Sequence, residues 1–166
     1  MLVATTDRCP CGRAGTNGGC SCSDADLQRY KRRLTGPLLD RIDLIVDLQR
    51  PSPSPLTAPP LLDSLTAREQ TRQARERQKR RLAGSDYTLN GEMVASTVHA
   101  HVRLDGAAQR MLDRAHRIGL LSARGSHRVL RVAQTIADLE HRDLVTRTDV
   151  STALHLRDPS PPDDPA

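Results

Sequence analysis

The chain has 166 residues, enough for one ordinary domain or two small lobes, and a net charge of +5, which suits an anionic partner without demanding one. Hydrophobic residues make up 37% but aromatics only 1% (two Tyr, no Phe, no Trp). Any core is therefore built from Leu, Val, Ile, Ala and Met, and recognition of nucleic acid by stacking bases on aromatic rings is nearly excluded.

Residues 2 to 6, LVATT, read as the stub of a strand, and a chain that opens on a bare apolar stretch points to sequence upstream of it. The first residues carry no charged leader, and no run approaches the apolar length of a membrane span. The expectation is a cytoplasmic protein with no membrane association, in which four cysteines serve something other than disulfides. Residues 9 to 22 form a cysteine-glycine loop, and Asp24 or Ser23 caps a helix over about 25–34.

Residues 34 to 48, LTGPLLDRIDLIVDL, come next. Gly36-Pro37 is a breaker that suits a short turn. Beyond it Ile42, Leu44, Val46 and Leu48 alternate with Asp43, Ile45 and Asp47, a period-two pattern predicting a buried strand. Arg41 stands at the joint of turn and strand, flanked by Asp40 and Asp43. A rigid arginine at such an edge can reach a neighbour's nucleotide, and it can equally do no more than pair with one of those aspartates.

Prolines at 51, 53, 55, 59 and 60 make residues 50–60 a stiff extended linker and the expected domain boundary. After it the period is helical. A highly charged helix is predicted over 66–82, supported by the i,i+4 pairs Arg72–Glu76 and Glu76–Arg80. A loop at 86–90 and a weaker helix over about 92–101 follow. Over 104–118 Asp105 caps, Ala108, Met111, Leu112 and Ala115 share a face, and Gly119 sits where a helix stops. Ser122 caps a helix over about 123–141 and Thr148 a last one over 149–156. The end, DPSPPDDPA, reads as a disordered tail over 158–166.

Two spacings carry chemistry. Cys9 and Cys11 form one C-x-C and Cys20 and Cys22 another, with glycines between that let the chain fold back. Each pair offers two sulfurs in one direction, and two facing pairs make a tetrahedral four-thiolate site suited to structural zinc, with no open position for water. Arg8 and Arg13 would offset the net −2 charge of such a centre, and free thiols or a redox pair are the alternatives. The second spacing is Arg124, Arg128 and Arg131 at i, i+4 and i+7 on the helix after Ser122, opposite the apolar Val129, Leu130, Ala133, Ile136 and Ala137. A cation in a first helical turn opposes the helix dipole, so Arg124 is explained most simply by an anion that also meets the free N–H groups there; its alternative is an acidic neighbour elsewhere in the fold. Arg128 and Arg131 extend the stripe as candidate phosphate or DNA contacts. The helix over 66–82, with seven basic residues against two acidic, can track a phosphate backbone or merely be a solvated face.

LVATTDRCPCG, the second C-x-C, LTGPLLDRIDL, LSARGSHRVLRVAQTIADL and a terminal helix ending in ALHLR together resemble the magnesium-chelatase-like AAA+ ATPases of the ComM/YifB type, over nearly the whole chain apart from the linker and tail. The resemblance implies the C-terminal part of a hexameric ring ATPase of a DNA helicase family. It implies that Arg41 is an arginine finger acting in trans on the neighbouring subunit's ATP, that Arg124 is the sensor-2 arginine reaching the γ-phosphate, and that Cys9, Cys11, Cys20 and Cys22 bind metal. In the family an Asn stands in the sensor-1 place, where this chain has Asp7. No G-x-x-x-x-G-K-[ST] loop and no apolar strand ending in Asp-Glu occur in these 166 residues, so ATP and Mg²⁺ are expected only with a P-loop partner, and the chain alone is expected to be inactive. The expected fold is mainly α with a small α/β part: an edge of an AAA+ core with the cysteine loop over 1–49, the linker, a helical lid over 61–157 and the tail. The alternatives are a stand-alone zinc-containing DNA-binding module and a remnant without function.

Overall fold

Short polar side chains that accept hydrogen bonds from free backbone amides set where four helices of this protein begin. A computed structural model describes residues 2–14, 19–34, 42–48 and 62–157. Regular structure among them is helical: α1 (Asp24–Leu34), α2 (Ser64–Arg81), α3 (Ala95–His101), α4 (Gly106–Arg117), α5 (Ala123–Leu139) and α6 (Arg147–His155), with a 3-10 turn at Asn90–Glu92. The protein is mainly α, as its sequence implies. Contacts group the chain into two compact units, residues 1–42 and 43–166.

In the first unit Ser23 caps α1. Its hydroxyl accepts from the Asp26 amide at 3.2 Å, and the Asp26 carboxylate in turn accepts the Ser23 amide (3.3 Å) and hydroxyl (2.6 Å). This reciprocal arrangement satisfies donors at both levels of the first turn. The Tyr30 hydroxyl lies 2.6 Å from that of Thr6, which ties the opening segment to α1.

In the second unit α5 is the hub, packing against α2, α3, α6 and the 3-10 turn. Its buried stripe Val129, Leu130, Ala133 and Ala137 meets Leu82, Met93, Val98, Leu112, Val145 and Val150 in a single aliphatic core. Asp105 caps α4 by accepting the Ala108 amide at 2.7 Å, and Gly119, at φ +73°, ends it in the left-handed conformation that glycine adopts at little cost. Ser122 caps α5 through the Gly125 amide at 3.1 Å.

Four expectations are corrected. The strands over 2–6 and 42–48 do not form. Leu2 and Val3 are exposed, as are Leu44 (52%), Val46 (62%) and Leu48 (80%), and the sole β pairing among the described residues is one parallel bridge, Leu104–Val145. An alternating pattern makes a strand only where a second strand supplies its hydrogen bonds, and among the described residues none lies alongside either segment. The segment 43–48 instead belongs with the helices: the Ile45 amide donates to the Leu156 carbonyl at 2.6 Å, and the compact units divide at Ile42–Asp43. The cap of α6 is Thr146, two residues before the expected Thr148. Asp149 accepts the Thr146 amide (2.8 Å) and hydroxyl (2.9 Å) while Arg142 grips both of its oxygens at 2.7 Å, and that anchored carboxylate fixes the start. The Glu76–Arg80 pair is absent, since Glu76 pairs with Arg72, which also binds Glu69. The proline segment 50–60 and the tail 158–166 lie outside the described residues.

One buried charge joins α2 to α5. Asp138 is fully buried; Arg81 donates to both its oxygens at 2.5 and 2.7 Å, and Asn90 donates to it at 2.9 Å. Removing one member of such a pair strands the other. Asp138→Ala is expected to lower the unfolding free energy by about 3–5 kcal/mol, read as a fall in the urea midpoint, whereas Glu76→Ala on the exposed face of α2 is expected to change it by no more than about 0.5 kcal/mol.

Candidate functional site

The four cysteines converge. Their sulfurs all lie within 4.8 Å of one another, with Cys9–Cys11 at 3.3 Å and Cys11–Cys20 at 3.6 Å. A tetrahedron with metal–sulfur bonds of about 2.3 Å has edges of about 3.8 Å, so the donor set fits a tetrahedral metal in number, element and spacing. Gly12, at φ +70°, turns the chain after Cys11, and the Ala14 amide donates to the Cys9 sulfur at 3.2 Å, the kind of outer hydrogen bond that orients a thiolate ligand. Cys9 is buried and Cys20 exposed.

The same crowding sets the protonation of the sulfurs. The Arg13 amide, then the Cys9 side chain and the Ser21 amide, donate toward Cys11 and hold its thiol at about 6. Burial, then the bond with Cys11, push Cys22 up to about 12. Sulfurs this close cannot all carry charge by themselves, so the loop holds one ready thiolate, and a divalent cation is what would let the rest deprotonate.

Arg41 lies outside the described residues. Asp43, two residues on, meets Arg128 at 3.6 Å and Arg131 at 3.5 Å, and Arg131 also donates to the carbonyls of Gly91 (2.9 Å) and Met93 (3.3 Å). Arg128 and Arg131 are thus half-buried and face a carboxylate of their own unit. Arg124 differs: it is exposed in the first turn of α5 and has no ion-pair partner among the described residues. The three arginines of the predicted stripe therefore separate into two that hold the fold and one that is free.

Gly125 has a neighbour that spacing did not reveal. A Cβ added there would lie 3.2 Å from the guanidinium of Arg157 and 3.3 Å from the Ser122 hydroxyl. Arg157, from the end of α6, therefore sits over the start of α5 beside Arg124. The ALHLR ending contained this arginine, but only the fold brings residue 157 to residue 125. Asp7 is exposed, its carboxylate 3.4 Å from where a Gly12 Cβ would stand. On α2, Arg77 pairs with Asp143 and Arg81 with Asp138, which leaves Arg68, Arg72, Arg75, Lys79 and Arg80 as its exposed basic residues, Arg72 among them paired with Glu69 and Glu76.

Residues 62–157 match the family model for the C-terminal part of magnesium chelatase subunit ChlI, and residues 1–56 match the model for magnesium chelatase subunit ChlI. The chain belongs to the magnesium chelatase ChlI family. It is 35% identical to the uncharacterized protein Rv2897c of Mycobacterium tuberculosis over 157 residues, 95% of this chain and 31% of that protein. It is 32% identical over 159 residues to the uncharacterized protein YifB of Escherichia coli, and 31% identical over 161 residues to the competence protein ComM of Haemophilus influenzae, in each case 95% of this chain and 30% of the relative. This ChlI-family chain thus spans about three tenths of the length of the curated relatives it matches. Among its described residues no helix is long and apolar enough to cross a membrane.

A histidine beside the α5 arginines titrates in an accessible range. Burial, then His99 stacked edge-on at 5.6 Å, then Arg131 and His116, hold His127 below the ordinary histidine value of 6.5. The unfolded chain therefore binds a proton that the folded chain resists. This contribution to stability is complete above the unfolded value and is lost as pH falls from about 6.5 toward the folded value. Thermal midpoints are expected to fall between pH 7 and 5.5, with a smaller fall in His127→Gln. A separate loss is expected in stronger acid. There burial raises the Asp149 carboxyl, but Arg142 and the Thr146 amide and hydroxyl together outweigh it and hold it below the usual carboxylate range.

Proposed function

We propose that this chain acts as the C-terminal part of a magnesium-chelatase-like AAA+ ATPase: a structural zinc loop followed by a helical lid, supplying guanidinium groups to a nucleotide whose phosphate loop lies outside these residues. Arg41 is the arginine finger acting in trans, and Arg124 senses the γ-phosphate from the lid. The boundaries of these parts are residues 1–49 for the core edge, 50–60 for the linker and 61–157 for the lid. A ring-forming P-loop subunit or paralogue is the partner, and DNA is the candidate substrate of the whole assembly.

The observation that carries this reading is the contrast within α5. Arg128 and Arg131 are held by Asp43, while Arg124, at a helix start with outward N–H groups, is exposed and unanswered. A phosphate would satisfy both the cation and those amides. Arg157 beside Gly125 adds a second guanidinium near the same helix start.

Mixing the purified chain with full-length YifB and measuring phosphate release tests the reading. The chain alone is expected to release none, and the mixture is expected to exceed YifB alone. Arg41→Ala is expected to reduce that gain about a hundredfold or more, and Arg124→Ala to reduce it as well, each without loss of assembly. Turnover by the chain unaided would overturn the proposal. Tight duplex DNA binding with a steep salt dependence and no response to ATP would favour the DNA-binding module instead.

Zinc in the cysteine loop is tested separately. The four-sulfur geometry supports one zinc per chain, and Cys22→Ser is expected to abolish it. Elemental analysis of protein purified without added metal gives the stoichiometry. A metal-free wild-type chain whose α1 remains folded would remove the zinc assignment and leave the nucleotide reading standing.

A further inference from the structure

The starts of α4 and α6 are stapled together by backbone. The Asp105 amide donates to the Val145 carbonyl at 2.9 Å, and the Val145 amide to the Arg103 carbonyl at 2.8 Å, around the single parallel bridge Leu104–Val145. Asp105 then caps one helix and Thr146 the other, so their first turns leave the staple side by side. Beyond it opens a groove of about 390 Å³ lined by Ala107, Arg110, Met111 and Arg114 of α4 and by Arg147 of α6.

The charge in this groove is not answered. Arg110, Arg114 and Arg147 are exposed, and none has an ion-pair or hydrogen-bond partner among the described residues. Asp113, the one acid on α4, accepts instead from Gln109 at 2.9 Å. Arg110 and Arg114 are one turn apart, about 6 Å along the axis. Other arginines of this unit, Arg72, Arg77, Arg81 and Arg142, do meet carboxylates. Three guanidiniums mounted on a frame fixed by backbone hydrogen bonds repel one another in the free protein, and an anion relieves that repulsion at little cost in ordering.

We propose that this groove docks an acidic segment of a partner protein, with an apolar side chain seated on Ala107 and Met111 and flanking carboxylates on the three arginines. The floor decides for peptide over nucleic acid. Between the cations lies apolar surface ending in a pliable thioether, which suits an aliphatic anchor. A phosphodiester strand brings no such anchor, and the groove has no aromatic ring on which a base could stack. Bidentate guanidinium–carboxylate pairs supply the specificity. The inference is independent of the nucleotide role of Arg41 and Arg124.

Amide chemical shifts of the full chain test it with defined probes: the blocked peptides EELEE and EEGEE, and an oligothymidylate of the same charge. EELEE is expected to move the amides of α4 and of Arg147, with affinity about tenfold weaker for EEGEE. Arg110→Glu with Arg114→Glu is expected to abolish the response while the thermal midpoint stays level or rises, because repulsion is removed. A lower midpoint in that variant, with Arg147→Gln also destabilised, would make the arginines structural and overturn the proposal. So would tighter binding of the oligothymidylate at the same amides, shifts there that grow with protein concentration alone, or no response to EELEE.

Discussion

The helical unit depends on a charge kept out of water. Asp138 sits on α5 among aliphatic side chains, and its cost there is met by Arg81 from α2 and by Asn90 from the turn before α3. Removing that carboxylate from solvent is unfavourable by itself, so it specifies which face of α2 turns inward and which residue of the connecting loop lies beneath it. Gln78 follows the same rule, being buried on α2 and accepting the Asn90 amide at 3.2 Å. With no phenylalanine or tryptophan to shape the interior, polar fasteners decide the register that large rings would otherwise set.

Local rules made much of the fold legible. Asp105, the apolar positions of α4 and Gly119 were enough to place that helix within two residues, because cap, stripe and stop all lie inside it. The partners of the α2 arginines were not legible. Arg77 and Arg81 find Asp143 and Asp138, residues more than fifty positions away, so a helix that reads as a solvated basic surface proves to be partly a row of tethers. The same distance problem hid Arg157. The alternation over 42–48 misled for a different reason: periodicity reports which side chains share a face, not whether a neighbouring strand exists to bond the backbone.

Of the candidate site, the cysteines were the most legible part. Two C-x-C pairs and the glycines between them were enough to imply four sulfurs at one point, because the loop is short and its geometry local. The α5 arginines were legible as a stripe but not in their differences. That Arg128 and Arg131 are spoken for while Arg124 is not depends on Asp43, which enters from a separate stretch of chain.

That stretch has a mechanical consequence. Asp43 is fastened to the middle of α5, and Ile45, by its backbone amide, to the end of α6. Two attachments on different helices make residues 43–45 a clasp that ties the middle of the helix carrying Arg124 to the end of α6.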